Sequence, residues 1–307
     1  VNSSQGDHNH DNARRMKMSN ANKVDITSED GRFKGRIGLC AEALQQVLRD
    51  RYNGILKADT AAGLFEALQQ PPYNARPVYA YHYDSDGRRH DPADGTPALQ
   101  EWHENGGLAE QSHWNNGQLH DPDADTPAVQ KWYESGGLAL QAHWNDDQLN
   151  DPDEDSPAVQ VWHENGGLAE QAHWNNGQLH DPDEGKPAIQ RWHENGELAA
   201  QIHFKDDQPH DPAEGTPALQ EWHENGGLAA QEHWNDGQRH NPADGLPARM
   251  QYNDQGEPVQ AEFADGRLEG NPDELQKLQK GLDALRSSQE FITAFSDIAT
   301  IKPARPG

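Results

Sequence analysis

The chain has 307 residues, of which only 33% are hydrophobic, and a mean hydropathy of -1.10. That is too little apolar mass for a compact globule of this length, but enough for a thin repeat array in which each unit buries one or two faces. Of the formal net charge of -27, residues 91–245 carry -26, with 31 Asp and Glu against 5 Lys and Arg. A field of that sign repels nucleic-acid phosphates and anionic lipid and favours basic proteins, cations or neutral ligands; the same charge keeps a long array soluble.

Residues 1–30 are polar and read as a disordered N-terminal segment. Val1 to Asn22 contain no apolar stretch of the kind a secretory signal needs, so the sequence leaves cytoplasmic and secreted locations both open. No run of 18 apolar residues exists anywhere, so integral membrane association is not expected. Cys40 is the only cysteine, which excludes an intrachain disulfide and a cysteine-based zinc site.

Residues 31–76 read as a small helical region. Ile37, Leu39, Cys40, Ala43, Leu44, Val47 and Leu48 form a helical apolar stripe, which predicts a helix over 36–54. A second, short helix is expected from Asp59 or Thr60 to Leu68, ahead of Pro71-Pro72.

Residues 77–270 are a repeat array. Trp102, Trp132, Trp162, Trp192 and Trp222 recur every 30 residues, and Tyr252 continues the series. A partial unit precedes the array and a degraded one follows it, as capped arrays require. Within a unit, Asn105-Gly106 and Asn116-Gly117 predict two-residue turns of the kind with positive φ at both positions, and Asp121-Pro122 to Pro127 forms a loop. Each unit is then a β-meander with strands at 98–103, 108–114 and 118–120. With the turn at Asn105-Gly106, Trp102 faces Ala109, Gln100 faces Gln111 and Ala98 faces His113, all on one sheet face. The other face carries Leu99, Leu108, Trp114 and Leu119. Leu99 becomes Val129, Val159, Ile189 and Leu219 in later units, which is how a packing face varies.

The uniform face holds the candidate ligand-binding residues: Trp102, Trp132, Trp162, Trp192 and Trp222, with Gln111, Gln141, Gln171, Gln201 and Gln231. Two readings stay open. The Gln amides and indoles are structural ladders, or the Trp ladder is an aromatic groove for a ligand.

Residues 271–301 read as a C-terminal amphipathic helix that covers the last β unit, and 302–307 as a tail. Asn271-Pro272-Asp273-Glu274 supplies the helix start. Leu275, Leu278, Leu282 and Leu285, then Phe291, Ile292, Phe295 and Ile298, supply its apolar side.

Aromatic-x-x-Asn-Gly followed by aromatic-x-Asn-Gly, as in Trp102-His103-Glu104-Asn105-Gly106 and Trp114-Asn115-Asn116-Gly117, linked by His120-Asp121-Pro122 to Pro127-Ala128, resembles the MORN-type repeats. The resemblance is to the longer variant found in bacterial and giant-virus proteins and covers about 77–270. It implies a mainly β fold, an elongated array of antiparallel β-hairpins with period 30, here between small α-helical N- and C-terminal caps. It also implies protein or lipid contacts, and the acidic charge argues against lipid.

Chemistry beyond binding has little to stand on. Three His ladders run through the array, at His103, His113 and His120 and their equivalents. A pair such as His113–His120 makes at most a weak metal site. Asp121-Pro122-Asp123-Ala124-Asp125 starts like a Ca²⁺ loop, but Gly and Glu are missing at the later positions such a loop needs. No nucleophile, phosphate-loop or metalloprotease motif is present. The sequence therefore points to a non-enzymatic scaffold without cofactor. Its acidic surface would mediate protein–protein interaction with a basic partner, as a host-directed or immunity-type factor; a carbohydrate-binding array using the Trp ladder is the alternative.

Overall fold

The computed structural model describes residues 22–264 and the backbone of 268–270, apart from residues 54, 57–59, 154, 184, 214–215 and 243–246. The amphipathic segment 271–301, the tail 302–307 and the N-terminal residues 1–21 lie outside the described residues.

The chain opens with an antiparallel hairpin, β1 (Asn22–Thr27) and β2 (Phe33–Leu39), followed by α1 (Ala41–Tyr52), α2 (Ala61–Gln69) and β3 (Arg76–His82). This corrects two expectations. Residues 22–27 are a strand rather than part of a disordered segment, and Ile37 and Leu39 belong to β2 rather than to a helix. Phe33, Gly35, Ile37 and Leu39 alternate inward with period two, which a helix stripe does not do. The helix starts only after Cys40, whose Sγ accepts from the Ala43 amide at 3.4 Å. The second helix falls where expected, capped by Thr60 Oγ1 accepting from the Gly63 amide at 3.0 Å.

The array follows. Its first unit comprises β4 (Leu99–Trp102), β5 (Leu108–Ser112), β6 (Trp114–Asn115) and β7 (Gln118–Leu119). The same four strands recur in each later unit, to the hairpin Leu219–Trp222 and Leu228–Glu232 with its own Trp234–Asn235 and Gln238–Arg239. The long strands of every unit join β1–β3 and the closing strands Arg249–Tyr252, Pro258–Glu262 and Leu268–Gly270 in one 16-stranded antiparallel sheet. The short pairs form separate two-stranded hairpins, one per unit. The architecture is mainly β, an elongated repeat array with no barrel closure.

The two turns of a unit differ. In the second, Asn116 and Gly117 both have positive φ, 53° and 88°, as the sequence predicts. In the first, only Gly106 does, at 90°. The His103 amide bonds the Gly107 carbonyl, and the Gly106 amide bonds the His103 carbonyl, each at 2.9 Å. The loop is three residues long, closed by a residue in the left-handed region. The register shifts with it: Gln100 still faces Gln111, but a bulge between Glu101 and Trp102 pairs Trp102 with Leu108 and leaves Ala109 as the extra residue. Leu108 thus joins Trp102 and not the packing face.

The short hairpins fold back over one face of the long sheet. There Val129, Ala142, Val159, Ala172 and Ile189 of the sheet meet Leu119, Trp144, Leu149 and Leu179 of the hairpins in one continuous buried cluster. Each fully buried aliphatic side chain of this size contributes about 1.5–3 kcal/mol, and the cluster runs from unit to unit without a break. A second cluster occupies the opposite face at the N-terminal end. There α2 lays Phe65 and Leu68 over Phe33, Ile37 and Leu39. Gly35 permits this approach, since a Cβ there would stand 2.7 Å from the Phe65 ring.

Candidate binding surfaces

Where the polar side chains go decides which surfaces are free. Asp91, Asp121, Asp151, Asp181 and Asp211, one per unit, are the hubs. In each, Oδ1 accepts two backbone amides, seven and 23 residues on: Ala158 at 2.7 Å and Trp174 at 2.8 Å for Asp151. The other oxygen, Oδ2, accepts from a buried histidine: His113, His143, His173, His203 or His233, at 2.5 to 2.7 Å. A carboxylate acceptor places the proton on Nδ1 of each ring. Ala98, Ala128, Ala158, Ala188, Ala218 and Ala248 beside the hubs have no exposed surface at all. In the degraded last unit Asn241 takes the aspartate's place and accepts from the Ala264 amide at 3.0 Å, and Phe263 stands where the histidine would be.

These hubs are not among the sequence expectations, which compared the Asp121 loop with the start of a Ca²⁺ loop and gave the histidine ladders at most a weak metal site. The signal was present: an Asp and a His 22 residues apart repeat in step through five units. Neither residue is free for a ligand. The next loop aspartates are also engaged. Asp123 accepts from the Asp125 amide and Asp153 from the Asp155 and Ser156 amides at 2.9–3.0 Å. Bonding to Thr126 first, then to the Asp125 amide, holds the Asp123 carboxyl below its ordinary value. For Asp153 the Asp155 amide leads, then the Ser156 hydroxyl. Among the described residues no group of three or more His, Cys, Asp or Glu is arranged to hold a metal ion.

The first histidine ladder ties unit to unit, and the third does so at His90 and His210. His103 Nε2 donates to the Trp132 carbonyl at 2.8 Å, and His163, His193 and His223 repeat the bond to the carbonyl 29 residues on. Tyr133, which interrupts this ladder in sequence, reaches the Trp162 carbonyl through its hydroxyl at 2.6 Å. Asn105 Nδ2 bonds the Glu134 carbonyl in the same direction. In the third ladder His90 Nδ1 accepts from the Asn116 amide at 3.2 Å, and Asn150 Oδ1 does the same for Asn176 at 3.1 Å. Both substitutions in the ladders keep the bond and change the side chain.

The predicted ligand residues lie on the face opposite the hairpin core. Gln111 Nε2 donates to Gln130 Oε1 at 2.8 Å, and Gln141, Gln171 and Gln201 pair likewise with Gln160, Gln190 and Gln220. Gln231 faces Met250 instead. Each Gln–Gln pair joins neighbouring units through one amide hydrogen bond. Trp102, Trp132, Trp162, Trp192 and Trp222 are all half-buried, paired with Leu108, Leu138, Leu168, Leu198 and Leu228. Among the described residues, Trp102 alone of these meets a helix, its ring centroid 6.0 Å from that of Phe65 in α2.

The charge sits at the edges. Glu104, Glu134, Glu164, Glu194, Glu224 and Asp254 occupy equivalent turn positions and all are exposed. At the other edge Asp146, Asp147, Asp206, Asp207 and Asp236 cap the short hairpins and are exposed too. An open groove of about 460 Å³ lies between two of these hairpins, floored by Phe204, His180 and His210 and rimmed by Asp183 and Asp206.

A protein-family model described as MORN repeat variant matches residues 189–206, which span one long hairpin and the start of the short one. The match covers part of one unit, and the regular 30-residue array extends the same hairpin pattern to the other units. The chain fits a MORN-type repeat protein. No curated protein matches it. MORN repeats are generally non-catalytic, and a MORN-type hairpin array is consistent with a binding scaffold.

Proposed function

We propose that this chain is a non-enzymatic scaffold whose acidic repeat surface binds a basic protein partner, in the manner of a host-directed or immunity-type factor. The observation that carries the reading is the row of exposed acids from Glu104 to Asp254, one per unit along a single edge. Successive units are two strands apart, or roughly 9.6 Å. That is close to the Debye length of about 8 Å at physiological salt, so neighbouring charges reinforce one another. A partner segment in the polyproline II conformation, with three residues per turn and Lys or Arg at every third residue, repeats at about 9.3 Å on one face and matches the row in step. Such a surface speeds association and selects the sign of the partner.

The sugar-binding alternative draws on the half-buried Trp stripe. Against it stands the pairing of Gln111, Gln141, Gln171 and Gln201 with other Gln side chains, which commits one N–H of each of these amides within the array. Calorimetric titration separates the two. A peptide with Lys at every third residue is expected to bind, its acidic counterpart not to bind, and a panel of neutral oligosaccharides to give no heat. Binding of an oligosaccharide that Trp162→Ala abolishes, with none of the basic peptide, would overturn the proposal.

A further inference from the structure

The two turns of a unit carry one dipeptide in two settings, and the settings differ in chemistry as well as in conformation. Asn-Gly occurs six times in the array: at Asn105, Asn165, Asn195 and Asn225 in the first turn, and at Asn116 and Asn176 in the second. In this dipeptide the glycine nitrogen, with no Cβ beside it to hinder approach, is placed to attack the preceding side-chain amide. All six asparagines are exposed, so access of water and base does not separate them. Their hydrogen bonds do. In the first turn each asparagine is held at both ends of its amide. Asn165 Oδ1 accepts from the Gly167 amide at 2.8 Å, and its Nδ2 donates to the Glu194 carbonyl of the next unit at 2.9 Å. Asn105, Asn195 and Asn225 repeat both bonds. A carboxylate in this place would lose the donor and set an anionic oxygen against a carbonyl. In the second turn Asn116 Nδ2 donates to the neighbouring Asn115 side chain at 3.0 Å, and Asn176 Nδ2 to that of Asn175 at 2.8 Å; among the described residues Oδ1 of neither has a partner. The other three units already carry an acid here. Asp146, Asp206 and Asp236 adopt φ of 49°, 52° and 45°, against 53° and 49° at Asn116 and Asn176.

We infer that Asn116 and Asn176 are sites of spontaneous deamidation, and that the first-turn asparagines are protected from it. The Gly117 nitrogen gives its proton to base and bonds to Asn116 Cγ. The Cγ–Nδ2 bond breaks, and ammonia leaves with a proton taken from water. Water then opens the five-membered imide at either carbonyl, giving aspartate or isoaspartate. The Gly117 N–H is bonded to the Arg89 carbonyl at 2.8 Å, and the Gly106 N–H to the His103 carbonyl at 2.9 Å, so either turn must open before its nitrogen attacks. The first turn must also release an amide held at both ends, one of them by the next unit, which slows its reaction ~10-fold or more. The fold therefore accepts the acid where it holds the amide loosely and requires the amide where it holds it fast. Each event adds one negative charge. Conversion of both sites completes a row of one acid per unit along the short-hairpin edge, joining Asp146, Asp206 and Asp236.

The test ages the full chain in mildly alkaline buffer and follows each Asn-Gly peptide by mass spectrometry through its unit mass gain. Asn116 and Asn176 are expected to convert ~10-fold or more faster than Asn105, Asn165, Asn195 and Asn225. In urea all six should convert at similar rates, because the dipeptide is the same and only the folded bonds differ. The full-chain variant Asn116→Asp/Asn176→Asp is expected to keep the wild-type thermal midpoint, and Asn165→Asp to lower it. Equal rates at the six sites of the folded chain, or faster conversion in the first turn, would overturn the inference. So would a folded chain that converts at none of them while the unfolded chain does. A difference that persists in urea would place its cause in the flanking residues, and a double variant with a lowered midpoint would deny that the fold accepts the acid; either result would overturn it as well.

Discussion

Replacing the hub Asp151 by Ala removes the acceptor of the Ala158 and Trp174 amides and the partner of His173, whose side chain is 7% exposed. A buried donor left without a partner costs about 1–3 kcal/mol, and three are orphaned here, so with partial relaxation the loss is about 3–5 kcal/mol. Asp151→Asn keeps Oδ1 for the two amides and loses the charged contact to His173, which must shift its proton to Nε2. That change costs about 1–2 kcal/mol. In a repeat array the damage is local, since each unit contacts only its neighbours. Urea titration followed by Trp emission gives the energies. Hydrogen exchange locates them, with faster exchange at Ala158 and Trp174 and near wild-type rates two units away. Equal midpoints for the Ala and Asn variants, or an Ala variant within about 1 kcal/mol of wild type, would refute the hub.

Other variants follow from single rungs. The buried indole nitrogens of Trp144 and Trp174 have no partner among the described residues, whereas Trp114 Nε1 donates to Ser112 Oγ at 2.8 Å. Ala142→Ser copies that arrangement and is expected to gain about 1 kcal/mol in urea titration. Tyr133→Phe should lose about 1 kcal/mol with its bond to the Trp162 carbonyl, and Tyr133→His should be near neutral because His occupies that rung elsewhere. Gly166→Ala meets a φ of 87° and should lower the thermal midpoint, by about 1–2 kcal/mol of stability; Gly167→Glu should not, since Glu197 already fills the equivalent place. Burial raises the Glu221 carboxyl above its ordinary value, ahead of the opposing pull of Arg249. With the folded value raised, ionisation removes stability as pH climbs through it. Glu221→Gln is therefore expected to raise the thermal midpoint at pH 7 and to change little at pH 3.5.

The fold was legible because its punctuation is repeated. A 30-residue Trp period, turn residues at fixed offsets and an aliphatic position that drifts between Leu, Val and Ile define the array and its packing face. The errors arise where two conformations share one dipeptide. Asn116-Gly117 and Asn105-Gly106 look alike, yet Asn105 keeps an ordinary φ, as do Ser135 and Gln255 in its place, because the first loop is three residues long and only its last residue is left-handed. The bulge that follows displaces Ala109 by one place, and no periodicity within a six-residue strand reveals it. Near the N-terminus, Ile37 and Leu39 fit either a strand or a helix by spacing, and the Cys40 cap, a poor one in sequence terms, decides between them. The candidate surface was half legible. The Gln and Trp positions share a face, as their parity requires, but the commitment of Asp and His to buried hubs depends on contacts between units that one unit's sequence does not show.

The most direct measurement of the scaffold's acidic surface is the affinity for a peptide with Lys at every third residue as salt is raised, in wild type and in the variant with Glu104, Glu134, Glu164, Glu194 and Glu224 all changed to Gln. These side chains are exposed at turns, so the array should fold unchanged. The wild-type affinity is expected to fall steeply with ionic strength, and the variant to bind weakly with a shallow dependence. Equal affinities and equal slopes for the two proteins would contradict the assignment of binding to this edge.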